Sequence, residues 1–130
     1  MTNTFITDLQ DYIAANIDGL IINTNFFISG FSGDTPDQIC LMETGSPEAD
    51  IDLPLTQPTI QVLCKNQSYA AGRALMWQIY SLLHQKVEIE MGTSSVEQSM
   101  AIQEPAHIGE NDDGLEVFSM NFVFKVRYHA

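Results

Sequence analysis

From Val117 to Tyr128 the chain alternates with period two. Phe118, Met120, Phe122, Phe124, Val126 and Tyr128 fall on one face. Val117, Ser119, Asn121, Val123, Lys125 and Arg127 fall on the other. That period predicts a β strand with the first set on its core face. Near the N-terminus the period is helical: Phe5, Ile6, Leu9, Ile13 and Ile17 share a face, with Tyr12 on its edge. Thr4 is the expected cap, Asp8 and Asp11 suit the early turns of the helix dipole, and Gly19 reads as the stop. A second helical run begins after Ser68, its expected N-cap. It buries Ala71, Gly72, Leu75, Met76, Ile79, Leu82 and Leu83 on one broad face.

Between and after the helices the apolar runs are short. Residues 25–29 and 38–43 read as strands, separated by the turn-rich "GFSGDTPD". The second has apolar residues on both faces, as in a central strand. Residues 59–64 form another strand. "KVEIEMG" is a strand or an extended connection, and "SVEQSMAIQEPAHIG" is β-rich. "ENDDG" marks a hairpin into the last strand. "TGSPEADIDLPLTQP" is a long loop with three prolines and no base. The order is α, β, β, loop, β, α, β, β. It predicts the α/β class in its α+β form: a single mixed, mostly antiparallel sheet, two main helices packed on one face, and a long acidic loop.

Length suits one domain over residues 1–130, and a 45% hydrophobic content suits one core. No apolar run reaches eighteen residues, and the N-terminus lacks a basic region with a long apolar stretch. Neither a membrane span nor a secretory signal is expected. Five bases against 17 acids give a net charge of −12. Such a field opposes binding to a phosphate backbone. It fits plain solubility, or a surface that repels or mimics DNA. Cys40 and Cys64 lie in apolar runs and read as buried free thiols.

Candidate chemistry is sparse. The strand, turn and helix around "CKNQSYAAGRAL" have the outline of a phosphate loop. Its one glycine, Gly72, falls inside the helix, so the converging backbone N–H groups of such a loop are missing. "GFSGD" lacks the second glycine of a nucleophile elbow. His84, His107 and His129 are far apart, and neither cysteine pairs with them at zinc spacing. "ENDDG" lacks the order of a calcium loop. No catalytic residue, cofactor or metal is therefore expected. His84, ending a helix, is a favourable place for a cation.

The flank and back of the second helix are more telling. Tyr69, Arg73, Trp77, Tyr80 and His84 lie there, and Lys65 opens the polar turn before it. Aromatic and arginine side chains of this kind anchor protein interfaces. Cover by the first helix or a loop of the same chain is the competing reading. Glu43, Glu48, Asp50 and Asp52 make residues 43–57 a candidate acidic arm that orders against a partner.

Taken together, "PTIQVLCKNQSYAAGRALMWQIYSLLH" and the later "PAHIGENDDGLEVFSMNFVFKV" resemble the tail terminator (tail completion, or minor capsid) proteins of long-tailed bacteriophages. The shared features are P-x-[IV]-Q, a polar turn, a helix ending in LL, a late P-x-x-[IL]-G, an acidic turn with glycine, and a closing aromatic strand. Lys65 stands where such proteins often carry arginine. The resemblance covers most of the chain. It implies a virion protein assembled in the host cytoplasm, without enzymatic activity. It implies a homo-oligomeric ring, typically a hexamer, on the head-proximal end of the tail. Its partners would be the tail tube protein and the head–tail connector, with DNA passing through unbound. The alternatives are another neck component (a head-completion or connector protein), an acidic inhibitor or DNA mimic, and a small hydrolase or ligand-binding domain.

Overall fold

The computed structural model describes residues 4–33, 35–45 and 55–127. Its elements are α1 (Phe5–Asn16), β1 (Phe26–Ile28), β2 (Gln38–Glu43), β3 (Leu55–Thr56), β4 (Thr59–Asn66), α2 (Tyr69–Leu83), β5 (Lys86–Met91), β6 (Ser94–Ala101), β7 (Ala106–Glu110) and β8 (Glu116–Arg127). They form one sheet in the order β1-β2-β4-β8-β6-β5, with β3 and β7 also paired to β8. Only β1 and β2 run parallel among these pairings. The predicted α+β class and mixed, mostly antiparallel sheet are what the structure has.

Strand β8 organises everything else. On one side it pairs with β4 and then β3, and on the other with β7 and then β6. Each flanking run is broken once. The first break is at Gln57-Pro58, where proline has no N–H to give and its carbonyl accepts from Phe124 N at 3.0 Å. The second is at residues 102–105, between β6 and β7. Phe118, Met120, Phe122, Phe124 and Val126 are each at most 1% exposed. They join Ile60, Val62, Ile39 and Leu41 of neighbouring strands and Leu9, Ile13, Met76 and Ile79 of the helices in one core. Tyr128 lies outside the described residues.

Ser68 caps α2 as expected, its Oγ accepting from Ala71 N at 3.2 Å. Gly72, Met76, Ile79 and Leu83 are buried, and Leu75 and Leu82 pack at the margin. Ala71, expected on the buried face, is exposed. The helix crosses close to the sheet at Gly72. A Cβ there would meet Phe118 Cε2 at 2.7 Å and Asn66 Cβ at 3.1 Å.

α1 is held differently from its expectation. Thr4 makes no side-chain cap. Its hydroxyl donates to Asp8 Oδ2 at 2.9 Å. Asp8 lies in the first turn of α1, as expected, and is buried. Ser94 Oγ at 2.6 Å and Thr93 Oγ1 at 3.2 Å also donate to it, tying α1 to the β5–β6 turn. Gly92 in that turn has φ +57 and leaves room for the carboxylate. Two residues on, Gln10 Nε2 donates to Phe26 O of β1 at 3.1 Å. β1 and β5 are the opposite ends of the strand order, so the sheet curls around α1.

Candidate interaction surfaces

The turn after β4 was the most enzyme-like stretch, and its backbone is occupied. Asp37 Oδ1 accepts from Gln67 N at 2.8 Å, Asn66 Oδ1 from Ser68 N at 2.9 Å, and Ser68 Oγ from Ala71 N. These side chains hold the N–H groups a phosphate would need, so the turn is a scaffold corner. Among the described residues no three His, Cys, Asp or Glu side chains converge on a metal-sized site.

Four of the six interface candidates form one ladder along α2. Arg73 lies over the Trp77 ring, 5.5 Å from its centroid. Trp77 meets Tyr80 edge-on at 5.0 Å, and Tyr80 stacks on His84 at 4.6 Å. The spacing (73, 77, 80, 84) is the i, i+4, i+7, i+11 row of a helix, which puts them on one side. The ladder grows more internal toward its end. Arg73 is exposed, Trp77 half-buried, and Tyr80 packs on the core. His84 Nδ1 accepts from Ala101 N at 3.1 Å, so this ring closes α2 onto β6. That is a correction to its reading as a cation site at the helix end: the facing group is an N–H donor, which needs a lone pair on that nitrogen.

Trp77 lines an open groove of ≈ 650 Å³ with Ile17, Ala74 and Leu82. The far wall is the end of α1, so cover by the first helix is partial.

The other two candidates stand elsewhere. Tyr69 packs edge-on to His107 at 5.0 Å and near Phe118 at 5.5 Å, beside β7. His107 in turn bonds Glu116 at 2.6 Å. Lys65 pairs across the strands with Val117 and Gln38, on the face of the sheet away from both helices. There it lies over the Phe31 ring at 5.1 Å. Lys65 alternates outward while Cys64 and Asn66 point to the helix side.

Residues 29–33 and 35–37 fold over this outward face. Gln38 Nε2 donates to the carbonyls of Ser32 and Thr35, and its Oε1 accepts from Ser32 N. Cys40 is buried beneath. Cys64 is buried on the opposite face, and both thiols are free. Burial pushes Cys40 up to about 11 and Cys64 up to about 12. Neither is a poised nucleophile.

Of the acidic arm, Glu43 ends β2 and Leu55–Thr56 form β3. The proposed arm thus begins and ends in the sheet, while Glu48, Asp50 and Asp52 lie outside the described residues. Sequence reading missed the concave patch around Lys125 on the outward face, and the exposed Ile102 and Ile108 beside β7. The alternation of β8 did assign Lys125 to that face, but its cross-strand neighbours follow only from register.

The family model of the bacteriophage tail terminator protein matches residues 12–128. The chain belongs to the bacteriophage tail terminator family. Tail terminators are structural proteins of the virion, so this is a structural phage tail protein working among other virion components. No curated protein matches the chain. Among solved structures, a chain from the virion of a native gene transfer agent particle shares the fold. Its TM-score is 0.58 at 10% identity, over 97% of this chain and 99% of that one. A second solved chain, with no function in its name, has TM-score 0.58 at 13% identity, covering 97% and 92%. No helix among the described residues is long and apolar enough to cross a membrane.

Proposed function

We infer that copies of this tail terminator, each acting as one domain, close into a hexameric ring. The ring sits on the head-proximal end of the tail tube. It stops tube polymerisation and presents the surface to which the head's connector binds. The family match over residues 12–128 carries this reading. A closed ring needs head-to-tail contacts, so each copy must offer two different surfaces that fit each other. The α2 ladder with Trp77 and the helix-free face of the sheet have that difference in chemistry. The net charge of −12 lets DNA pass without phosphate contacts holding it.

The test is disruption of the gene in its phage, with tail lengths measured by electron microscopy. Overlong tubes without heads are the expected result. Tails of normal length beside unjoined heads would assign the protein to another neck component. Intact infectious particles would overturn the assembly role. Within the ring, Trp77→Ala is expected to weaken assembly while the melting temperature changes little. A variant that unfolds instead would make Trp77 a core residue of the monomer.

A further inference from the structure

The outward face of β8 carries a basic notch. Lys125 shares it with Gln57, Gln98, Met100 and Val123, around a depression of ≈ 280 Å³. Gln98 stands across from Lys125, and Met100 across from Val123. An ammonium and two side-chain amides over an apolar floor suit a carboxylate, since a charge-assisted hydrogen bond gains strength where water is partly excluded. Arg127, two residues on, is already held by Glu97. Lys125 forms no ion pair among the described residues. Lys125 is one of only five bases in a chain with 17 acids, and it lines this depression.

The matching chemistry lies at the other end of the same strand. The β7–β8 turn exposes Glu110, Asp112 and Asp113, and no Lys or Arg occurs from Glu104 to Glu116. The turn is stiff. Asn111 Oδ1 accepts from Asp113 N at 3.0 Å and Leu115 N at 2.9 Å, and Gly114 takes φ +78. Ile108, 62% exposed on the bulge of β7, adds an apolar contact beside the acids.

These two features cannot meet within one molecule. Glu116 and Lys125 are separated along β8 by a length on the order of 30 Å at the usual rise of a strand. They can meet between two copies arranged head to tail. We propose that the acidic β7–β8 turn of one copy docks in the Lys125 notch of the next. This rests on the ring reading above and names its subunit contact.

Charge exchange tests it. Native mass spectrometry would follow assembly of the wild type, of Lys125→Glu, and of Asp112→Lys/Asp113→Lys. Circular dichroism would check that each is folded. Each one-sided variant is expected to need about tenfold more protein to assemble. Mixing the two variants, or combining all three changes in one chain, is expected to restore assembly. Each contact then again joins opposite charges. A Lys125→Glu protein that assembles like the wild type overturns the proposal, and so does an exchange that restores nothing. In both cases the ring itself stands. A wild type that stays monomeric, alone and on purified tail tubes, overturns the ring reading and this contact with it. Normal rings of Lys125→Glu that fail only to bind tubes would give the notch to the tube protein and also overturn the proposal.

Discussion

The two faces of β8 keep different company. Toward the helices lie Phe118, Met120, Phe122, Phe124 and Val126, closed off from water. On the other side are Val117, Ser119, Asn121, Val123, Lys125 and Arg127. Of these, only Ser119 is buried and Arg127 is exposed; the rest are half-buried. The first face is apolar, large and covered by two helices. The second mixes amides, cations and medium-sized apolar groups, and neither helix packs on it. A core face needs only exclusion of water. An outward face of mixed chemistry keeps enough polar character to stay soluble and enough apolar area to bind. The difference separates the side that makes the fold stable from the side available to make assemblies.

The comparison can be broken first by truncation. Phe122→Ala is expected to cost about 3–5 kcal/mol, because it opens a cavity in a closed core. Val123→Ala, one residue away, should cost about 1 kcal/mol. Equal losses in urea unfolding would mean that the outward face is covered too. Overfilling the core face is the next largest effect. Gly72→Val sets a branched side chain against Phe118 and should cost about 1–3 kcal/mol in the same measurement. On the outward face, Arg127→Met breaks the ion pair with Glu97 and should cost below about 1 kcal/mol, since both groups are partly solvated.

The thiols sharpen the contrast from both sides. Cys64 belongs to the core face, whereas Cys40 faces outward beneath residues 29–33 and 35–37. Their folded values, about 12 and about 11, lie above the ordinary 9.0. The folded chain therefore holds these protons more tightly than the unfolded chain. Their contribution to stability is full below pH 9.0 and is lost as the pH rises toward 11 and 12. Titrated unfolding should show that decline. At pH 8 both thiols should resist alkylation until the chain unfolds. Fast reaction at Cys40 alone would show that this cover opens.

Much of this was legible in order along the chain. The aromatic alternation of β8, the Ser68 cap, the acidic turn with Gly114 and the apolar stripe of α2 are local patterns. Backbone geometry forces a period of 2 or 3.6 on them, so they were read without knowing the partners. The family resemblance rests on the same local features. What local pattern did not show involves partners distant in sequence. Asp8 is in the first turn as read, but two of the hydroxyls that bond it, on Thr93 and Ser94, lie more than eighty residues away. Lys65 precedes the helix in sequence, yet the pleat turns it to the opposite face. His84 looked like a terminal cation because the N–H of Ala101 that it accepts could not be foreseen. The sequence by itself determined the two helices, the core face of the last strand and the family. Only the tertiary structure decided which polar groups meet and which face stays open, because register between distant strands sets those neighbours and local periodicity carries no information about it.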